Sequence, residues 1–293
     1  MTGPPDPIDP SLHIGSVHLA VSDLERSVDF YGRVLGLTLI ASERDRARMG
    51  ADLEQPALVL GQLADPAATQ PRSTGLFHVA WLHPSRAALA ASVRRAALAG
   101  WPIHGASDHG VSEAVYLTDP DGLGIEIYVD RPRSSWQRPA SGRGVDMVTL
   151  PLDLQDLLAQ APAEPAPTVP ADTVVGHVHL KVSDVDRAAS FYREVIGFEQ
   201  QAALPSAAFL AAGGYHHHLG LNSWQSLGAR APAENAPGLR LIEFELGDGA
   251  ALEELERRVS ATADGPLSTQ REPGRFSLSD PDGHRLAFVA PIG

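Results

Sequence analysis

The chain has 293 residues, of which 43% are hydrophobic and 20% charged, which is typical of a globular protein long enough for two domains. Its net charge of -13 argues against binding to nucleic acid or an anionic membrane surface, and no apolar run is long enough to cross a bilayer. Because cysteine is absent, disulfides and thiolate sites are excluded, and any metal must be held by histidine and carboxylate groups. No signal peptide is recognisable, so we expect a cytoplasmic protein.

The first predicted unit is a strand, a helix and two further short strands. Apolar residues at helical spacing follow Ser22 and Asp23, either of which is a suitable N-cap, and Gly36 ends the helix. The predicted strands lie at 17–21, 38–42 and 57–62.

A second unit of the same order follows. A strand at 76–82 leads into a helix at 85–99, which Gly100 ends. Two strands at 114–117 and 124–129 are joined by an Asp-Pro-Asp-Gly sequence, whose residues are typical of a turn.

The chain then repeats itself. Residues 15–37 recur at 176–198 with an offset of 161, and the turn at 119–122 recurs at 280–283 with the same offset. The two halves are therefore homologous, and each contains two units. The predicted units lie at 12–65, 73–131, 173–224 and 236–291. We accordingly predict a first pair of units at 12–131, a Pro/Ala-rich linker at 132–172 with a short helix at 153–159, and a second pair at 173–291.

This fourfold array of βαβββ units, with histidines on first strands and a glutamate on a last strand, resembles the vicinal oxygen chelate superfamily of glyoxalases, drug-resistance proteins and extradiol dioxygenases. The segment from His109 through Tyr116 and Asp119 to Glu126 is similar to the extradiol dioxygenase signature. The segment 213–224, which contains three consecutive histidines, is similar to that of two-domain catechol 2,3-dioxygenases. The resemblance implies an α+β fold in which four modules pair into two open, cupped mixed sheets.

Two residues are expected to bind one divalent metal ion. His78 lies in the middle of an apolar strand, and Glu126 lies in the otherwise apolar strand Gly-Ile-Glu-Ile-Tyr. A buried carboxylate without a partner is costly, and a metal ion would satisfy both side chains at once. Two histidines and one carboxylate form the facial set of non-haem Fe(II) oxygenases.

The third ligand depends on which units pair. If neighbouring units pair, His18 joins His78 and Glu126; if the middle units pair, His179 joins them. The resemblance implies an acid–base histidine about forty residues after the first ligand. Unit one has none there, whereas unit three has His216, His217 and His218. We therefore favour the middle pairing with His179 as ligand. On a strand, His216 and His218 would face one way and His217 the other, so only one of these faces can line the site. By resemblance, we expect His217 to be the acid–base residue.

The resulting functional expectation is an extradiol dioxygenase that uses Fe(II), or Mn(II), to insert O2 into a small catechol-like aromatic substrate. By resemblance, His109 and Tyr116 assist catalysis from beside the metal ligands. Two alternatives stay open: a glyoxalase-like isomerase, lyase or thiol transferase, and a non-catalytic protein that sequesters small molecules. Homo-oligomerisation is compatible with the sequence, which does not specify an assembly.

Overall fold

The computed structural model describes residues 6–140, 142–262 and 265–291. All four predicted units are present, and each consists of a strand, a helix and three strands. In chain order the strands are β1 (His13–Val21), β2 (Thr38–Ser42), β3 (Arg46–Gly50), β4 (Leu58–Gln62), β5 (Gly75–Leu82), β6 (Gly105–Asp108), β7 (Ser112–Thr118), β8 (Gly124–Asp130), β9 (Leu150–Pro151), β10 (Val174–Lys181), β11 (Glu199–Leu204), β12 (Ala207–Ala211), β13 (Leu219–Asn222), β14 (Gly238–Glu245), β15 (Ser268–Glu272), β16 (Arg275–Ser279) and β17 (Arg285–Val289).

The helices begin and end where the sequence provides caps. They are α1 (Leu24–Phe30), α2 (Arg86–Leu98), α3 (Leu154–Ala159), α4 (Val185–Ser190) and α5 (Gly249–Ala261). The Asp23 carboxylate accepts the backbone N–H of Arg26, and Asp184 repeats this cap at α4. Both helices continue as π-helical turns, Tyr31–Leu35 and Phe191–Ile196, which were not predicted. Each turn ends at a glycine with left-handed backbone, Gly36 and Gly197.

The four units pair into two sheets in the order that the sequence favoured. Sheet A joins units four and one in the strand order β15-β16-β17-β14-β1-β4-β3-β2. Sheet B joins units three and two in the strand order β11-β12-β13-β10-β5-β8-β7-β6-β9. The prediction that the middle units pair is therefore confirmed. Each sheet takes one unit from each half of the chain, so the predicted pairs 12–131 and 173–291 do not correspond to the sheets.

The segment between the halves is partly structured. It contains a 3-10 turn at Arg133–Ser135, the predicted short helix as α3, and the two-residue strand β9, which pairs with β6 at the edge of sheet B. The linker thus adds to sheet B rather than only connecting the two halves.

A continuous apolar core holds the two sheets and the helices together. Along β1, Val17 and Leu19 belong to the core, and along β10, Val178 and Leu180 belong to it. Because side chains alternate between the faces of a strand, the intervening residues project onto the opposite, concave faces of the sheets. His177 and His179 are among them. Within the described residues, no helix has the length and apolar character needed to span a bilayer.

Candidate metal centre

The concave face of sheet B brings two histidines and a glutamate together. Ala80 on β5 lies opposite Glu126 on the parallel strand β8 and opposite His177 on the antiparallel strand β10. These three residues form one row across adjacent strands, and His78 lies on the same face two residues before Ala80. Because alanine is small, the side chains of Glu126 and His177 can approach each other across it, to 3.5 Å.

The ligand atoms of these side chains lie close together. His78 Nε2 is 3.1 Å from a carboxylate oxygen of Glu126, and His177 Nε2 is 3.5 Å from the same oxygen. One ligand atom from each residue lies within 4.8 Å of the other two. All three residues are buried, with exposed fractions of 5% or less. The sequence-predicted residues His78 and Glu126 are therefore neighbours, as expected.

The electrostatics of the cluster suit metal coordination. Burial lowers the pKa of both His78 and His177 well below the usual histidine value, so both imidazoles are neutral at pH 7 and keep a lone pair. His78 Nε2, which faces Glu126, is buried without a hydrogen-bond partner in the described structure. A divalent cation beside Glu126 would satisfy this nitrogen and balance the carboxylate charge.

The third member of the cluster in the described structure is His177, whereas the sequence favoured His179 as the third ligand. His179 lies directly across from His78 on the neighbouring strand, with ring centroids 5.0 Å apart. Its ring packs among Phe77, Phe209 and Trp224, and burial lowers its pKa to about 3. His179 therefore adjoins the cluster without reaching Glu126.

His18, the other candidate from sequence, lies on sheet A. Its Nε2 contacts the Ser16 hydroxyl at 3.3 Å, and Glu243 lies beside it. In sheet A, Ser16 occupies the place of His177, Leu241 that of His78 and Ala287 that of Glu126. His18 thus has no counterpart of the glutamate to join.

A bulge at Gly176 helps to position His177. The register between β10 and β5 shifts between Val175 and His177, which leaves Gly176 without a partner. A Cβ at Gly176 would overlap the Tyr128 hydroxyl. Tyr128 in turn lies against the His177 ring, at a centroid distance of 4.8 Å, so glycine allows this packing.

His109 and Tyr116 form a short hydrogen-bonded chain that reaches Glu126. His109 Nδ1 is 2.8 Å from the carbonyl oxygen of Val148, and its Nε2 is 2.7 Å from the Tyr116 hydroxyl. The carbonyl only accepts, so Nδ1 carries a proton, and in this tautomer Nε2 accepts from the Tyr116 hydroxyl. Burial first, and then the charge of the neighbouring Glu126, raise the pKa of Tyr116.

The three consecutive histidines are buried and precede β13 rather than lying on it, so the expected strand alternation does not apply. The His217 ring lies 4.0 Å from that of His177. Burial first, and then His177 and His216, lower the pKa of His217 well below its usual value. His217 is therefore a neutral imidazole next to the cluster, whereas the His218 ring accepts a backbone N–H at 3.2 Å.

His216 connects His217 to a carboxylate. Its Nε2 is 2.8 Å from Asp130, and its Nδ1 is 2.8 Å from His217 Nδ1. In the tautomer of His216 that donates from Nε2 to the Asp130 carboxylate, Nδ1 is the acceptor, and His217 donates there. The Nε2 atom of His217 is then left free to accept a proton.

His177 was not among the residues expected from the sequence, although one signal pointed to it. The two halves share His18 and His179, but His177 stands where the first half has Ser16. His78 and Glu126 also lack counterparts in the other copy. A ligand of a site found in one copy is expected to differ between the copies.

Comparison with known proteins agrees with this architecture. The family model of the Glyoxalase/Bleomycin resistance protein/Dioxygenase superfamily matches residues 13–127 and 174–288. The chain belongs to this superfamily. It is 40% identical to the catechol-2,3-dioxygenase of Bacillus subtilis (strain 168) over 281 residues, which cover 94% of this chain and 97% of the relative. The prediction of an enzyme related to catechol 2,3-dioxygenases is confirmed.

Two solved structures show a similar fold. A putative dioxygenase from Bacillus subtilis subsp. subtilis str. 168 superposes with a TM-score of 0.63 at 14% identity, over 98% of this chain and 86% of the other. Glyoxalase I from Zea mays superposes with a TM-score of 0.58 at 17% identity, over 96% and 92%. At these identities the likeness concerns the fold alone, and it supports the predicted α+β architecture of cupped sheets.

Proposed function

We propose that the chain is an extradiol ring-cleavage dioxygenase that holds one divalent metal ion with His78, Glu126 and His177. The observation that carries this proposal is the buried cluster of two neutral imidazoles and one carboxylate, whose ligand atoms lie within 4.8 Å of one another. We infer Fe(II) as the natural ion, with Mn(II) as the alternative, because both accept such mixed nitrogen and oxygen ligands.

The donor set fits an ion that keeps open positions. Three protein ligands leave room for exogenous groups, as in the facial set of non-haem oxygenases. When bound, the ion would supply Lewis acidity and adjacent positions for the two hydroxyls of a catechol and for dioxygen. In the overall reaction one ring carbon–carbon bond next to the diol is broken and both oxygen atoms of O2 enter the product. No external reductant is needed.

Tyr116 and His109 are proposed to keep the glutamate in place and to hold one proton near the substrate. The Tyr116 hydroxyl either donates to His109 Nε2, or accepts from Nε2 and donates to Glu126. The hydrogen-bonded series of His109, Tyr116 and Glu126 therefore supports two proton arrangements without moving a heavy atom. Outer partners of this kind orient ligands and tune their basicity.

His217 is proposed as the acid–base residue. Its free Nε2 can take a proton from a substrate hydroxyl, and its Nδ1 proton is already directed at His216. When His217 becomes a cation, the neighbouring His216–Asp130 pair stabilises it through a hydrogen-bonded carboxylate. Asp130 is 26% exposed, so this route leads from the buried site toward solvent.

The alternatives fit the site less well. By resemblance, a glyoxalase-like isomerase or thiol transferase uses a fourth protein ligand, whereas the candidate cluster among the described residues has three members. A protein that only sequesters small molecules has no need of buried imidazoles without hydrogen-bond partners beside a carboxylate.

The test is anaerobic loading of the purified chain with Fe(II) or Mn(II), followed by catechol and air. We expect uptake of one O2 per catechol and a yellow ring-opened product. His177→Ala should abolish both, whereas His18→Ala on sheet A should retain them and serves as the matched control. Absence of O2 uptake with a panel of substituted catechols, together with isomerisation of a hemithioacetal, would contradict the proposal.

A further inference from the structure

A cavity of about 910 Å³ adjoins the candidate metal centre. Its inner wall includes His78 and Tyr116, and its outer wall includes residues from the ends of both sheets, among them Lys181 of sheet B and Arg285 of sheet A. Its volume is near the upper end of the range for sites that take drug-sized ligands. The cavity therefore has room for a ring that carries a substantial substituent.

Lys181 is placed to reach such a substituent. It lies on the concave face of β10, two residues beyond His179, which corresponds to roughly 7 Å along the strand. The residue opposite is Gly75, which has no side chain to fill the space. The corresponding residue of the first half is Ala20. The lysine is therefore specific to the sheet that carries the cluster.

The ammonium group of Lys181 has no carboxylate partner in the described structure. Its one hydrogen bond goes to the carbonyl oxygen of Pro71 at 3.3 Å. The residue is half-buried, and burial lowers its pKa. A half-buried cation with a single backbone partner keeps donors for an incoming anion.

The acidic residues of the cavity wall are already engaged or exposed. Asp121 accepts hydrogen bonds from Ser22 and pairs with Arg26, and Asp282 makes the same contacts in the other half. Glu234 is exposed and lies near Arg240, which donates to backbone carbonyls. Neither Lys181 nor Arg285 has an ion-pair partner among the described residues, so the wall favours a negative ligand.

We propose that Lys181 binds an anionic substituent, of the carboxylate class, on a catechol-type ring held at the neighbouring metal centre. This inference rests on the proposed dioxygenase function and specifies its substrate class. Lys181 is a specificity residue in this account: it touches the substituent and not the reacting carbons.

The test compares acids with uncharged analogues of similar size. Catechol, 3,4-dihydroxybenzoate, 3,4-dihydroxyphenylacetate and 3-(3,4-dihydroxyphenyl)propionate would be assayed beside the methyl esters of the three acids. We expect kcat/KM for at least one acid to exceed that for its ester by about 10-fold or more, which is typical of a hydrogen bond to a charged group. Lys181→Met should reduce this preference to near unity, mainly through KM, and Lys181→Arg should restore part of it. Arg48→Met, on the exposed concave face of sheet A, is the control.

A binding measurement separates recognition from turnover. Anaerobic calorimetry on the metal-loaded protein should give tighter binding of the preferred acid than of its ester, and Lys181→Met should remove the difference. Equal kcat/KM and equal affinity for acids and esters would overturn the inference while catechol cleavage leaves the dioxygenase proposal standing. Cleavage of none of the compounds by the wild-type protein would overturn both.

Discussion

The two cupped sheets have the same strand order and the same internal turns, yet their concave faces differ at the positions that matter for chemistry. Sheet B has His177, Ala80 and Glu126 in one row, where sheet A has Ser16, Glu243 and Ala287. Sheet A thus has a glutamate side chain at the position of Ala80, and this glutamate pairs with Arg275. One copy carries the proposed site, and the other has the same fold without these residues.

The features shared by the copies explain why the fold is common to both. Tyr31 donates to Asp119, and Tyr192 donates to Asp280, each tying a helix to the turn before the last strand of the following unit. Residues common to both halves therefore indicate the shared architecture. Residues present in only one half indicate the proposed site, and this contrast leads to predictions whose expected effects decrease in size.

The largest effect is expected from removing a proposed ligand. His78→Ala or Glu126→Gln should lower metal affinity by more than about 100-fold, which is the upper range for changes to outer partners, and should reduce turnover to background. Equilibrium dialysis with the divalent ion measures the affinity directly. Ser16→Ala, at the corresponding row of sheet A, is the control. Metal retention by either ligand variant would contradict the assignment.

The next effect concerns proton transfer. His217→Gln should keep the metal and lower kcat by roughly 10²- to 10⁴-fold, the usual contribution of a general acid–base. Metal content and single-turnover rates would be measured together. His13→Gln, an exposed histidine on β1, provides the matched substitution on sheet A. Wild-type rates in the His217 variant would exclude the acid–base role.

A smaller effect is expected at Tyr116. Tyr116→Phe removes the hydroxyl between His109 and Glu126, and should reduce metal affinity or turnover by about 10- to 100-fold. His109→Gln should act in the same direction. The double variant should lose little more affinity or turnover than one single variant, because the three side chains form one hydrogen-bonded series. Additive losses would show that the two residues act separately.

The smallest expected effect is on stability, at the two repeated turns that contain Asp119 and Asp280. Burial raises the pKa of Asp119 to about 6, whereas at Asp280 burial is outweighed by His284, which lowers the pKa. The first half has Leu123 in place of that histidine. Because the pKa of Asp119 is raised in the folded state, its ionisation lowers the free energy of unfolding. This loss grows as the pH rises from about 4 to about 6. Asp119→Asn keeps the oxygen that accepts two backbone N–H groups. Its free energy of unfolding should rise by on the order of 2 kcal/mol relative to the wild type across this pH window.

Asp280→Asn should instead lose stability, by about 1–3 kcal/mol, because it removes a charged hydrogen bond. The lowered pKa of Asp280 means that its contribution is present above pH 3.8 and is lost as the pH falls through the folded value. The pKa of His284 is raised, so its contribution is complete below pH 6.5 and is lost as the pH rises through the folded value. Urea unfolding from pH 4 to 8 measures both variants. Identical pH profiles would contradict the comparison.

Much of the fold could be predicted because the repeat and the capping residues carry strong local signals. The strand predicted at 38–42 and the caps Asp23 and Gly36 agree with the structure. The strand β3 was missed, since its buried Ala47 and Met49 alternate with exposed arginines and make a weak apolar pattern. The strands β6 and β9 at the edge of sheet B were also missed, because β6 has little apolar character and β9 has only two residues.

The site was harder to predict than the fold. His78 and Glu126 stood out because each lies in an apolar strand. Prediction of the third proposed ligand required the register between β10 and β5. This register contains a bulge at Gly176, which the hydrophobic periodicity of the sequence does not indicate. Similarity between the copies then pointed to His179, which the copies share, and away from His177, which they do not.

The most direct test of the account is therefore the metal content of two variants prepared side by side, His177→Ala and His179→Ala, measured by inductively coupled plasma mass spectrometry after loading with Fe(II) and desalting. Each removes one imidazole from the same face of β10, two residues apart. We predict about one ion per chain in the wild type and in His179→Ala, and a loss of most of the ion in His177→Ala. Retention by His177→Ala with loss by His179→Ala would contradict the proposed centre.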